Sequence, residues 1–172
     1  VYKRQEDRWI LCVFDKMMGD VNNFWSEMDI YNATQTIKAF ATGVFPGHWL
    51  EMSKSRLYDG DHGATWTIHR IVRDLLISFS PVCPFFTDYL STTLYGDSAV
   101  DATSFPLQVI SSEIDTDAYL QLTDLLIDFN SSTWKIKKEQ GLSLKSEIHG
   151  IRIPSELGQF EDALISMHNL IE

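Results

Sequence analysis

The chain has 172 residues, 44% of them apolar, and its 14 basic and 24 acidic groups leave a net charge of −10. That length suits one buried core with a small appendage, and 10 Phe, 6 Tyr and 5 Trp argue against a disordered chain. No apolar run reaches the roughly 20 residues of a membrane span, and the acidic balance argues against general nucleic-acid affinity, because phosphate contacts need Lys and Arg.

The first predicted element is a long helix from Glu6 to Met28. Its apolar residues Ile10, Phe14, Met17, Val21, Phe24 and Met28 recur every three or four positions, and Trp9, Val13 and Trp25 widen the stripe. Asn32, with Gln35 three residues on, reads as the cap of a second helix running from Ala33 towards Tyr58. Pro46 lacks the donor a helix interior needs, and Gly43 and Gly47 bracket it, so a kink is expected at 43–47. Asp59-Gly60-Asp61 ends this helix in a turn. A third helix fits His62 to Phe79, stopped by Ser80-Pro81. A fourth starts at Pro84, buries Phe85 and Tyr89, with Thr93 as a further candidate, and closes at Gly96. Residues 97–114 lack a period and read as a connection. A fifth helix spans Thr116 to Gln140, with Tyr119, Leu122, Leu126, Phe129, Thr133 and Ile136 on one face. His149 to Pro154 is the one convincing strand, and Ser155 caps a last helix through Leu170. The expectation is a mainly α protein: an antiparallel helix bundle over 1–107, then a helix–strand–helix, α+β extension over 108–172.

Cys12 and Cys83 sit in apolar surroundings and read as buried thiols of a reducing, cytoplasmic compartment. The chain opens on Val1 rather than Met, so we expect earlier domains ahead of it. His48, His62, His69, His149 and His168 show no metal-ligand spacing, and there is neither a nucleophile elbow nor a Gly-rich phosphate loop. We expect no catalytic residue and no metal ligand within the chain. Charge is uneven: residues 61–134 carry 2 basic and 10 acidic groups, whereas 135–154 carry 5 and 2. RNA contacts therefore belong to the first 60 residues or to 135–154. In the first, Phe45, His48 and Trp49 set stacking surfaces beside Lys54 and Arg56, the arrangement that binds splayed bases and backbone phosphates. At helical spacing Phe45 and Trp49 suit a core equally. Lys135, Lys137, Lys138 and Lys145 form the second basic cluster, which also fits a plain solvated face.

Met52-Ser53-Lys54-Ser55 resembles the core of the Lys-Met-Ser-Lys-Ser loop that holds ATP in class I aminoacyl-tRNA synthetases. The surrounding pattern is helical instead of loop-like, and Lys54 can pair with Glu51. Longer stretches decide the comparison. Asp7-Arg8-Trp9-Ile10-Leu11 resembles the opening of the anticodon-binding domain of valyl-tRNA synthetases. Phe45-Pro46-Gly47-His48-Trp49-Leu50-Glu51-Met52, continued by Lys54, Arg56 and Tyr58, is similar to the archaeal-type helix of that family, with proline one position early. Ser80 to Asp88, Leu94-Tyr95-Gly96 and Trp134 to Leu144 match in family order. Thr42 stands near where the family often has tryptophan, and Phe105-Pro106 where it often has Trp-Pro.

The resemblance implies a class Ia anticodon-binding bundle whose partners are the anticodon arm of tRNA(Val) and the catalytic domain of the same chain, in a monomer off the membrane. The family's true ATP loop lies upstream of the Asp-Arg-Trp-Ile-Leu stretch. No cofactor is therefore expected here, and ATP and Mg belong to the missing catalytic domain of a valine–tRNA ligase. The implied contacts are Arg8, Phe45, His48, Trp49, Lys54, Arg56, Lys135, Lys137 and Lys138. Arg8 could equally anchor Trp9 to the catalytic domain or pair with a carboxylate. The alternatives are the equivalent domain of an isoleucyl- or leucyl-tRNA synthetase, or a bundle serving protein interaction alone.

Overall fold

A computed structural model describes residues 3–102, 106 and 114–171. Helix α1, Gln5–Ser26, is the central rod: Trp9, Ile10, Leu11, Phe14, Met17, Met18 and Val21 are all buried along one broad face. It packs against α2, Ile30–Thr42. The cap of α2 is Asp29, not Asn32. The Asp29 carboxylate accepts from the Asn32 backbone N–H at 3.0 Å and from its side-chain amide at 2.6 Å, so Asn32 lies inside the first turn and strengthens the cap it was expected to provide.

The expected kink is present and has a definite form. After Thr42 the chain widens into a π-helical turn, Phe45–Leu50, and then resumes as α3, Glu51–Tyr58. Pro46 brings no N–H and its ring crowds the carbonyl four residues back, so the helix admits the proline by opening one turn. Gly43 permits the close approach, since a Cβ there would lie 2.7 Å from the Ala39 carbonyl oxygen.

Helix α4 runs His62–Phe79, as its apolar period and flanking turn predict, with Asp61 accepting from the Ala64 N–H at 2.8 Å. Helix α5, Pro84–Tyr95, begins with proline and ends at Gly96 with φ +77°. Its orientation reverses the expectation. Phe85 and Tyr89 are 91% and 69% exposed, and Thr93 is exposed too, while Thr87 and Ser91 are buried. Small side chains let α5 lie close on α4, which leaves its aromatic residues outside.

The connection expected at 97–114, and the division expected between 107 and 108, fall largely or wholly outside the described residues. The fifth predicted helix is two: α6, Thr116–Gln121, and α7, Thr123–Glu139. They meet at Leu122, whose N–H bonds back only three residues to Tyr119 O at 3.2 Å, a tightened turn. Thr123 then receives the Trp9 indole N–H at 3.1 Å, tying the start of α7 to the centre of the bundle.

The predicted strand shrinks to β1, Ile148–His149, and its partner comes from a segment predicted as helix. A 3₁₀ turn, Ser155–Phe160, leads into α8, Glu161–His168, and β2, Leu170–Ile171, pairs parallel with β1. Ser155 makes no capping bond to the backbone and instead donates to Glu156 at 2.9 Å. Asn169, at φ +49°, ends α8 and turns the chain, so Leu170 is strand. Leu157, Phe160 and Leu164 join Trp9 and Leu126 in one apolar core. Among the described residues no helix is long and apolar enough to cross a membrane.

Candidate nucleic-acid interface

The two motifs most distant in expectation meet inside the protein. Asp7 and Arg56 are 49 positions apart, yet Arg56 Nη2 donates to Asp7 Oδ2 at 2.7 Å and Nη1 to Asp7 Oδ1 at 3.1 Å. Nη1 also reaches Glu6 at 2.6 Å and Nη2 reaches Asp61 at 2.8 Å. Asp7 further accepts from the Trp49 indole at 3.2 Å and from the Arg4 backbone N–H at 3.2 Å. One guanidinium thus joins the start of α1, the end of α3 and the cap of α4. Burial opposes the charge on Arg56, but Asp7, Glu6 and Asp61 outweigh it and hold the side chain protonated.

This geometry turns three of the residues expected to contact RNA into the interior. Arg56 is 7% exposed and its forked donors are spent on carboxylates. Trp49 is 0% exposed. Phe45 is buried and stacks on Trp49 with ring centroids 5.4 Å apart and 7° between planes, while Phe40 covers its other side at 5.7 Å. The aromatic faces expected for bases are occupied by one another. The widened turn at Pro46 aims them inward.

Lys137, also expected at the RNA surface, turns inward as well. It is 0% exposed, and its ammonium donates to three backbone carbonyls: Leu144 at 2.9 Å, Ser146 at 2.7 Å and His168 at 2.6 Å. The loop after α7 and the end of α8 are therefore gathered around one buried cation. Burial lowers its pKa.

What remains near the surface clusters where the π turn meets α7. His48 is half-buried, with its ring 5.6 Å from that of Trp134, itself half-buried. Asn130, fully buried on α7, lies 3.1 Å from His48 Nδ1 through its amide nitrogen and 2.7 Å from His168 Nε2 through its oxygen. Lys135 and Lys138 are exposed on the same helix, on either side of Lys137. Lys54 is exposed on α3 and pairs with Glu51 at 3.1 Å in solvent. Met52 and Ser53 beside it are buried in that helix, so these two residues of the stretch similar to an ATP loop serve as helix packing. Arg8 is half-buried against the Tyr119 phenol, whose pKa burial raises and Arg8 lowers.

The structure thus brings His48 against Trp134, with Lys135 and Lys138 exposed on the same helix. It separates Arg8 from them, at the start of the bundle beside α6. Trp134 and Asn130 escaped sequence reasoning as site residues. The signal available was the polar Asn130 within the apolar period of α7, one turn before Trp134. A surface cleft of about 1210 Å³ lies elsewhere, between α4 and the end of α5, where Trp66, His69, Arg73 and Tyr95 line it.

A family model described as the anticodon-binding domain of tRNA ligase matches residues 7–152. The chain belongs to this family. The matched span includes the buried Asp7–Trp49–Arg56 assembly and the His48–Trp134 edge. Among similar proteins, the valine–tRNA ligase of Aeropyrum pernix is 25% identical over 172 residues, 94% of this chain and 21% of that protein. That of Nanoarchaeum equitans is 27% identical over 165 residues, 95% and 21% respectively. That of Saccharolobus solfataricus is 33% identical over 90 residues, 52% and 11%. The chain spans about a fifth or less of the length of these relatives. Among the described residues no group of three or more His, Cys, Asp or Glu could hold a metal ion.

Proposed function

We propose that the chain recognises the anticodon arm of valine-accepting tRNA as part of a valine–tRNA ligase. Within that ligase, ATP and Mg would serve a catalytic portion elsewhere in the polypeptide, which is the second partner of this domain in a cytoplasmic monomer. The observation that carries the reading is the contact of His48 with Trp134 beside the exposed Lys135 and Lys138 of α7, on a chain otherwise strongly acidic. Similarity to the archaeal valine–tRNA ligases named above supports a valine-type domain over an isoleucine- or leucine-type one.

Trp134 offers a partly exposed ring face to a base, His48 a polar ring edge, and Lys135 and Lys138 charge for the phosphates on either side. Lys54 on α3 adds a further cation, and Arg8 a separate contact by the first turn of α1. Binding by such a strip is local: the acidic surface elsewhere repels the rest of the polyanion and keeps the arm in one place. Changing Lys135 or Lys138 to Ala should weaken binding to every tRNA alike and reduce the salt dependence of the affinity by about 0.7 to 1 in log–log slope for each. Unchanged affinity and slope in both variants would remove this strip from the interface.

A further inference from the structure

We propose that Asn130 is a positioning residue that holds His48 with its proton on Nε2, so that the bend offers RNA a hydrogen-bond donor and selects an acceptor atom opposite it. The inference rests on the RNA-binding reading for its ligand, but its geometry is internal to the protein.

The chain of bonds starts at the buried end. Lys137 places its ammonium on the backbone carbonyl of His168 at 2.6 Å. The His168 ring is fully buried, and its Nδ1 has no hydrogen-bond partner. A proton on that nitrogen would be a buried donor without an acceptor, a costlier defect than a bare lone pair, and the nearby ammonium adds repulsion. Burial first, and then the Lys137 charge and His48, push the His168 pKa down to about 4, so the ring is neutral at pH 7 and carries one proton. That proton is on Nε2.

His168 Nε2 therefore donates to Asn130 Oδ1 across 2.7 Å. The choice orients the Asn130 amide, since its oxygen must face His168 and its NH₂ must face His48. The amide nitrogen then donates to His48 Nδ1 across 3.1 Å. Burial lowers the His48 pKa as well, so this ring is neutral too, with Nδ1 accepting and Nε2 protonated. Among the described residues, Nε2 has no protein partner and is not among the buried unpartnered atoms. It is the nitrogen left for a ligand.

The relay thus carries an orientation from the His168 ring through Asn130 to the rim. The His168 tautomer is set by the lack of an acceptor at Nδ1, and that of His48 by the amide that Nδ1 meets. A ligand atom opposite His48 Nε2 must accept: a base carbonyl, a ring nitrogen or a phosphate oxygen, and not an exocyclic amine.

Long-range ¹H–¹⁵N spectra of the histidine rings in the unliganded 172-residue chain at pH 7.5 test this without any substitution. Protonated Nε2 on both His48 and His168 is expected. Protonated Nδ1 on His48 would overturn the proposal, as would a mixture of its two tautomers. N130L, which removes the amide at similar volume, should leave far-ultraviolet circular dichroism unchanged and release His48 into a tautomer mixture. Binding of a valine-type tRNA transcript should fall about fivefold in H48F, the worth of one hydrogen bond, and stay within about twofold in H48Q, whose amide can donate from the Nε2 position. Equal affinity of H48F and the parent chain would exclude the RNA half of the proposal. If the parent chain binds no tRNA, the proposed function fails while the ring spectra still decide the role of Asn130.

Discussion

Replacing Arg56 by Met should unfold the chain far more readily than its position in a basic stretch suggests. The guanidinium makes bonds of 2.6, 2.7, 2.8 and 3.1 Å to three carboxylates, two of whose side chains, those of Glu6 and Asp7, are only 5% and 0% exposed. Methionine fills much of the volume but leaves those two carboxylates facing each other without a cation. Breaking a buried pair from one side costs about 3–5 kcal/mol, against the roughly 5–15 kcal/mol that holds a domain together. At this chain length such a loss lowers the melting temperature by roughly 6–20 °C. Urea unfolding followed by tryptophan fluorescence measures it, with Trp9 and Trp49 both inside the affected core. Restoring neutrality with E6Q and D7N in the R56M background should recover a substantial part of the loss. K54A is the control, because its pair with Glu51 is 48% and 44% exposed and exposed pairs contribute less than about 1 kcal/mol. A loss below about 1 kcal/mol in R56M would refute the structural role assigned to Arg56.

Two further outcomes follow from the buried polar groups and the helix caps. The His168 pKa lies at about 4 in the folded chain and near 6.5 when unfolded, so the unfolded state binds the extra proton first. Stability from this ring is complete above pH 6.5 and declines as pH falls towards 4, by up to about 3 kcal/mol. The difference between parent and H168Q stabilities across pH 4–7 should show that slope, and a flat difference would contradict it. At the start of α2, D29A should cost about 1 kcal/mol and N32A distinctly less, since Asp29 supplies the cap oxygen. Equal costs in thermal unfolding would restore Asn32 as the capping residue.

The sequence announces the elements whose causes are local. Asp61 before α4, Pro84 at the first turn of α5 and Gly96 after it mark ends through backbone chemistry close at hand, and Pro46 with Gly43 announces the bend. Periodicity reveals that α5 has an apolar face but not which way it turns, and Thr87 and Ser91 won the inward side by fitting close to α4. The break at Leu122 and the strand at Leu170 depend on partners distant in sequence: Trp9 for Thr123 and Ile148 for Leu170. The candidate site suffered most from the same limit. Phe45, Trp49 and Arg56 have the residue types of an RNA surface, and only the approach of Asp7 and Glu6 to Trp49 and Arg56, and of Phe40 to Phe45, makes them an interior assembly. Lys137 likewise sits between two exposed lysines yet turns inward to three carbonyls.

The most direct measurement is a titration of the 172-residue chain with tRNA transcripts of valine, isoleucine and leucine type at low and moderate salt. The account predicts salt-sensitive binding that favours the valine transcript and weakens when Lys135 and Lys138 are replaced by Ala. Absence of binding at low salt, or equal affinity for all three transcripts, would contradict valine-tRNA recognition by this chain.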